Sequence, residues 1–402
     1  MSQSLLSLTP FIPCDKALEA SDLPDKAFIL NTESAKLTGQ ISSITLTTLR
    51  TYMGVINSYY SNLIEGNSTR PYEIRAAQRG DYSSDPVKRD LQKESFAHIA
   101  VQQWLYELNP NLETIFTPEF IQEIHKKFYE QVPESLWVIK DDLGNEVDNV
   151  VPGEWRTRNV QVGLHVAPEP DSVEALIASF CETYHSSKFK GDRKLISIMA
   201  AHHRLSWIHP FTDGNGRVGR LLTDTALKAV GLESYGAWCL SRGLAKTSVQ
   251  YKGLLAAADL PRLGDYDGRG ALSEKGLVEF SDYMLSTAID QVSYVSTLLD
   301  LSKLRLRINR YVEARNDFRV SGMTDSLKPI AALVLYNAFI HGELDRSFAL
   351  ELCGMPDRSA RRLLGQLKSE GLLSEVNNKS PLRWEIPEHA EAWYFPDLAP
   401  LS

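Results

Sequence analysis

Between His209 and Arg220 the chain reads HPFTDGNGRVGR, and most of these side chains can do chemistry. An imidazole with an ordinary pKa of about 6.5 accepts protons at neutral pH, which makes His209 a candidate general base. Pro210 disfavours helix at the residue before it, so a helix is expected to end at His209 and present the ring at the start of a loop. Asp213 is a hard oxygen ligand of the kind that holds Mg²⁺ while substrate phosphates complete the shell. Gly214, Asn215 and Gly216 expose backbone N–H groups just ahead of a helix, where anions bind well. Arg217 and Arg220 fall on the first turn of that helix, and their forked guanidinium groups can reach one anion together. Phe211 would anchor the loop in the core. The combination points to phosphate chemistry.

Other readings of the stretch compete. GNGRVG satisfies G-x-G-x-x-G, but a dinucleotide loop needs a preceding strand and a βαβ unit. The residues before it, Leu195, Ile198, Met199, Leu205 and Ile208, recur at helical spacing instead. No G-x-x-x-x-G-K-[ST] occurs in the chain. A zinc site from His202, His203, His209 and Asp213 fails on spacing, because adjacent histidines point to different helix faces and no H-E-x-x-H is present. Packing and capping roles suit His202 and His203 better.

The elements that must position these groups read as mainly helical. Residues 1–43, rich in Pro, Ser and Thr with weak periodicity, suggest an arm over the body of the protein. After it, Leu46, Leu49, Met53, Ile56, Tyr60 and Leu63 or Ile64 form one stripe of an amphipathic helix, with Gly66 as its stop signal. Further helices are expected around 92–107, 118–131 and 171–186. VPGEWRTRNVQVGLHVAPEP reads as a short hairpin with Val160 and Val162 in its core. The helix DRKLISIMAAHHRLSWI leads into the motif, and RVGRLLTDTALKAVGL follows it with Leu221, Leu222, Ala226, Leu227 and Val230 on the apolar side.

Composition sets the frame. The 402 residues are 43% hydrophobic and 23% charged, the make-up of an ordinary globular chain. That length predicts more than one domain. The net charge of -8 argues against broad, sequence-independent binding to nucleic acid or anionic membranes. Cys14, Cys181, Cys239 and Cys353 are far apart with no C-x-x-C, as expected of reduced thiols in a cytoplasmic protein. The first residues lack a basic and an apolar signal region, and no long apolar run occurs, so no membrane association is expected.

HPFTDGNGRVGR resembles the signature of the Fic family, H-x-F-x-[D/E]-G-N-G-R-x-x-R, at every defining position. The resemblance runs from about residue 44 to 285. It implies a mainly α-helical core with a β-hairpin flap, and transfer of AMP from ATP to a Ser, Thr or Tyr hydroxyl of a protein, or of the enzyme itself. His209 would be the base that deprotonates the hydroxyl, and Asp213 would hold Mg²⁺. Asn215 with the amides of Gly214 and Gly216 would stabilise the reacting phosphate. Arg217 would hold the β-phosphate and Arg220 the γ-phosphate. The hairpin would be the flap, its backbone at Val160, Gln161, Val162 and Gly163 pairing with the target segment beside the nucleotide. Tyr251 matches an aromatic position over the nucleoside, whereas Gln250 and Ala258 depart from many relatives.

A second motif, SNLIEGN, is similar to the family's inhibitory pattern [S/T]-x-x-x-E-[G/N]. Ser61 and Glu65 fall one turn apart on one helix face. The resemblance implies that Glu65 pairs with Arg220 and occupies the space of the γ-phosphate, which places the chain among self-inhibited members. In some relatives the same glutamate positions water to remove AMP from modified protein.

A boundary is expected near 315–328, giving an N-terminal region with the inhibitory helix (1–110), a catalytic core (111–315) and a C-terminal domain (316–402). In the last, IAALVLYNAFIH, RSFALELCG and DRSARRLLGQLKSEG read as three helices, followed by two strands with a turn at Asn377 and Asn378, an order that looks like a winged helix. Arg358, Arg361 and Arg362 lie on the third helix, the one that enters a DNA groove in such folds. DNA contact and protein contact, including a homodimer, stay equally open, and with them a nucleotide-sensing DNA-binding regulator as the competing function.

Overall fold

In the computed structural model, which describes residues 5–140, 143, 145–185, 188–396 and 398, the apolar stripes wind into helices and the few strands are short. The chain divides into two units: Met1–Glu33, Asn57–Tyr235 and Cys239–Gln291 form one, and Ser34–Ile56, Gly236–Trp238 and Val292–Ser402 the other.

The N-terminal region departs from the expected irregular arm. It contains an 18-residue helix, α1 (Leu23–Gln40). Its buried face is Leu23, Ala27, Leu30, Ser34 and Leu37, a true helical stripe that the small Ala27 and polar Ser34 dilute below recognition in the sequence. The stretch before it holds a 3-10 turn (Leu5–Leu8) and a short helix (Asp15–Glu19) and is tied down, since the buried Arg204 donates to the Pro10 carbonyl at 2.7 Å. Helix α2 (Ser43–Ile64) carries the expected stripe and stops where Gly66 turns left-handed at φ +94°.

Within the first unit, α3 (Pro86–Leu108) starts from an Asp85 cap with Pro86 in its first turn. Helix α4 (Pro118–Tyr129) starts from Thr117 and buries Phe120, Ile121, Ile124, His125, Phe128 and Tyr129 on one side. Strands β1 (Val138–Lys140) and β2 (Glu146–Asn149) pair antiparallel, as do β3 (Gln161–Val162) and β4 (His165–Val166). Helix α5 (Val173–Tyr184) precedes α6 (Arg193–Ile208), which is buried almost all round and packs on both α5 and α7 (Asn215–Ala229). Helices α8 (Ser248–Ala258) and α9 (Glu274–Leu298) follow.

The β3–β4 hairpin is not built around valines. Val162 is 51% exposed, Leu164 97% and Val166 68%, because the strands are two residues long and no layer covers them. Gly163, at φ +59°, takes the first central position of a tight hairpin turn, which a side chain would strain.

In the second unit, α10 (Ala331–His341), β5 (Glu343–Leu344), α11 (Arg346–Leu352) and α12 (Asp357–Ser369) lead into β6 (Leu373–Ser374) and β7 (Leu382–Trp384). The strands form one antiparallel sheet in the order β5-β7-β6. Leu363, Leu364 and Leu367 of α12 are buried, and Arg358, Arg361 and Arg362 are exposed.

Candidate active site

The site is built where α6 ends and α7 begins. Helix α6 closes at Ile208, and His209 caps it in a left-handed conformation at φ 50°, its N–H bonded to the Leu205 carbonyl at 3.0 Å. The helix thus ends at the residue before Pro210, as expected. Burial, followed by His165 and Arg156, pushes the imidazole down to about 4. The backbone of Ser206 beside the ring favours its charged form but is outweighed. At neutral pH His209 is an uncharged base.

The loop between the helices is closed by its own side chains. Asn215 Oδ1 accepts from the Phe211 N–H at 2.9 Å, and its Nδ2 donates to the Phe211 carbonyl at 2.8 Å. The Asn215 amide thus clasps the loop from within, and any phosphate contact would have to share it. Phe211 is fully buried and stacks flat on His125, ring centroids 3.9 Å apart. His125 Nδ1 accepts from the Gly153 N–H at 2.9 Å, which leaves its Nε2–H to donate to the Asp213 carbonyl at 3.2 Å.

Asp213 is fixed from the side by the Tyr129 hydroxyl, which donates to Oδ2 at 2.7 Å. Burial opposes its charge, but Arg217 and the Tyr129 bond outweigh this and hold the carboxyl below its ordinary range. Gly214 begins the motif helix at φ +81°, and a Cβ there would lie 2.9 Å from the Tyr129 ring. Glycine is therefore demanded by both conformation and space.

Arg217 and Arg220 both point into the protein, each against a carboxylate. Arg220 is 2% exposed. It donates from Nε to Ser61 Oγ at 2.9 Å, and from one terminal nitrogen to the Ser61 carbonyl at 3.0 Å and Glu65 Oε1 at 2.7 Å. Ser61 and Glu65, one turn apart at the end of α2, thus meet Arg220 as expected. Burial works against the Glu65 charge, yet Arg220 and then Arg217 keep its carboxyl below the ordinary value. The carboxylate rests on the first turn of α7, so close that a Cβ on Gly216 would come within 2.2 Å of Glu65 Oε1. An anion already sits at the positive end of the motif helix.

Several residues in the site carry no signal in the sequence. Glu94 of α3 pairs with Arg217 at 2.9 Å. Arg156, 3% exposed, donates to the His209 carbonyl at 2.7 Å and to the Arg158 carbonyl at 2.8 Å, while its own N–H bonds to the Pro210 carbonyl at 2.9 Å. It binds the root of the β3–β4 hairpin to the His209 loop. His165 of β4 adds a second tie through the Trp207 carbonyl at 2.9 Å. An arginine or glutamate remote from a motif looks like any solvated charge until tertiary packing brings it in.

The remaining expected residues are placed as follows. Val160, Gln161, Val162 and Gly163 form one side of the hairpin, whose attachment runs through Arg156 and His165. Tyr251 of α8 is 3% exposed, and its hydroxyl meets His202 Nε2 at 2.7 Å. Burial pushes the phenol up to about 12. His202 also bonds Thr223 Oγ1 at 2.7 Å, and His203 bonds the Leu255 carbonyl at 3.1 Å, so both histidines serve packing between helices. Lys252 donates to the Ile64 carbonyl at 3.3 Å, which brings α8 to the end of α2.

Residues 115–227, which include the whole loop and both arginines, match the family described as Fic/DOC family. The chain carries a Fic domain. Its Fic region is 41% identical over 175 residues to a protein adenylyltransferase Fic of Drosophila willistoni, covering 43% of this chain and 32% of that one. A protein adenylyltransferase Fic of Aedes aegypti is 30% identical over 173 residues, with the same coverage of 43% and 32%. The chain thus spans about a third of the length of these curated relatives. Among solved structures, a Fic family protein from Desulfovibrio desulfuricans aligns with a TM-score of 0.52 at 17% identity, covering 89% of this chain and 95% of that one. Fic-1 from C. elegans aligns with a TM-score of 0.54 at 17% identity, over 71% and 76% of the two chains. At such identities the likeness concerns the Fic fold.

Proposed function

We propose that this protein transfers AMP from ATP to a hydroxyl side chain of a protein, and that Glu65 holds the activity in check. The observation that carries the reading is the Glu65–Arg220 pair on the first turn of α7. A carboxylate there holds the arginine and the anion position that a triphosphate would need. The relatives' name, protein adenylyltransferase Fic, supports the same chemistry.

In the reaction, the uncharged His209 takes the proton of the target hydroxyl, and the resulting alkoxide attacks the α-phosphorus as pyrophosphate leaves. The amides of Gly214 and Gly216 face the phosphates at the helix start. Arg217 and Arg220 hold the β- and γ-phosphates. Asp213 fits Mg²⁺, being a carboxylate held in its charged form by Arg217 and by the Tyr129 bond to Oδ2. When bound, the metal would neutralise phosphate charge. Among the described residues no group of three or more His, Cys, Asp or Glu could hold an ion alone, so the phosphates would supply further ligands. The exposed edge of the β3–β4 hairpin offers the target segment a strand to pair with.

The test is incubation with ATP labelled at the α-phosphate. Label on protein should rise in Glu65→Gly and vanish in His209→Ala. A Glu65→Gly protein that binds ATP yet labels nothing, itself or a mixture of other proteins, would sink the reading. Loss of label from already modified protein, dependent on Glu65, would instead establish removal of AMP.

A further inference from the structure

The turn that carries Glu65 makes a second connection to the phosphate site, and its sense is the reverse of inhibition. Asn67, two residues after Glu65, is 4% exposed. Its Oδ1 accepts from the Thr69 N–H at 3.0 Å and the Thr69 hydroxyl at 2.6 Å, which fixes the amide's orientation. Its Nδ2 then donates to Glu94 Oε2 at 2.7 Å and the Leu91 carbonyl at 3.0 Å. The other Glu94 oxygen takes Arg217 at 2.9 Å. Glu94 is 7% exposed and Arg217 9%, so water contributes little to either. Phe128 flanks the guanidinium, its ring centroid 5.3 Å away. Arg217 is therefore held on one edge by Glu94 and on one face by Phe128, while its Nε–H is buried without a partner among the described residues.

Burial and anchoring separate Glu94 from Glu65. A polyphosphate entering this site meets two arginines and the carboxylates Glu65, Glu94 and Asp213. Glu65 is 31% exposed at the end of a helix and lies on the anion position, so it can swing away. Glu94 is in the middle of α3, sealed in and held by Asn67, and stays. A buried donor with one free N–H, aimed by a fixed carboxylate, is arranged to receive an oxygen.

We infer that Glu94 is the positioning residue for Arg217, and that Asn67, from the turn after the inhibitory helix, holds Glu94 in place. The turn thus has opposed effects on the two motif arginines. Through Glu65 it obstructs Arg220, and through Asn67 and Glu94 it prepares Arg217. The inference rests on the proposed binding of ATP, with Arg217 serving the β-phosphate.

The experiment measures affinities for ATP, ADP and AMP by titration calorimetry with Mg²⁺ in Glu65→Gly protein, alone and with Glu94→Gln or Asn67→Ala added. Glu94→Gln should weaken ATP and ADP on the order of tenfold while AMP binding is unchanged, and Asn67→Ala should act in the same direction more weakly. A parallel loss for all three nucleotides would reduce Glu94 to a structural role and overturn the inference. Unchanged or tighter ATP binding would overturn it too, the latter making Glu94 a second obstructing carboxylate. Should Glu94→Gln fold poorly with Arg217 left unpaired, Glu94→Gln combined with Arg217→Gln decides: it should bind ATP no worse than Arg217→Gln alone. A further loss in that pair would count against the assignment. Glu65→Gly protein that binds no ATP would remove the proposed function itself, and this inference with it.

Discussion

Two helices of this protein carry arginines at one-turn spacing, and they make opposite use of them. On α7, Arg217 and Arg220 are buried, each in contact with a carboxylate from a helix far off in the chain. On α12, Arg358, Arg361 and Arg362 are exposed. Arg361 meets Asp357 of its own helix at 3.2 Å, a surface pair. Lys368, further along α12, turns to Glu375 at 2.8 Å. Spacing alone therefore does not make an anion site. What sets α7 apart is the glycine start, which lets other groups approach the helix end, and burial, which turns each charge into a partner-demanding group. The three exposed arginines of α12 make only a modest electrostatic footprint.

The sharpest way to break this contrast is to remove one buried arginine. Arg217→Gln leaves Glu94 sealed in with only Asn67 to bond it, so unfolding in urea should show a loss of about 3 kcal/mol or more. A loss under 1 kcal/mol would mean that water reaches Glu94, and the contrast with α12 would collapse.

Acid probes the same burial through the histidines around the site. Burial pushes His98 and His202 down to about 3, far below the 6.5 of an exposed imidazole. As pH falls below about 6.5 the unfolded chain takes up protons that the native state refuses, so their contribution to stability, complete above that pH, is progressively lost. His125 and His209, at about 4, act in the same sense. Asp224, raised to about 6 by burial, opposes them by binding its proton in the native state. The histidines prevail, and thermal melts should show a net loss of at least about 2 kcal/mol between pH 7 and pH 5. A flat profile would show these rings to be hydrated.

The smallest effect belongs to α12. Arg361→Gln with Arg362→Gln should change stability by less than about 0.5 kcal/mol and leave ATP affinity unaltered. If ATP binding weakens, the two regions are coupled and cannot be treated as separate uses of one residue type.

The chemistry of the site was legible where it is contiguous. His209, Asp213, Arg217 and Arg220 lie in one short stretch, and Ser61 and Glu65 are fixed relative to each other by helix geometry. Most of the helices were legible from periodicity as well. Helix α1 was not, because Ala27 and Ser34 occupy its buried face and carry little hydropathy. The hairpin at 161–166 was legible, but its valine core was misjudged from alternation, since a two-residue strand has too little length for alternation to mean burial. Arg156, Glu94, His125 and Tyr129 escaped altogether. Their residue types are ordinary, and only the packing of α3, α4 and the hairpin root around the loop gives them a role.

The Asn215 clasp on Phe211 bears on the thermodynamics of ligand capture. A loop whose backbone is already pinned by its own amide has lost its freedom during folding, so a nucleotide does not have to organise it on arrival. With Arg156 binding the hairpin root to the same loop, the hairpin and His209 form a single preformed jig. In the proposed function, affinity for a nucleotide then depends on what must be displaced, which is the Glu65 side chain.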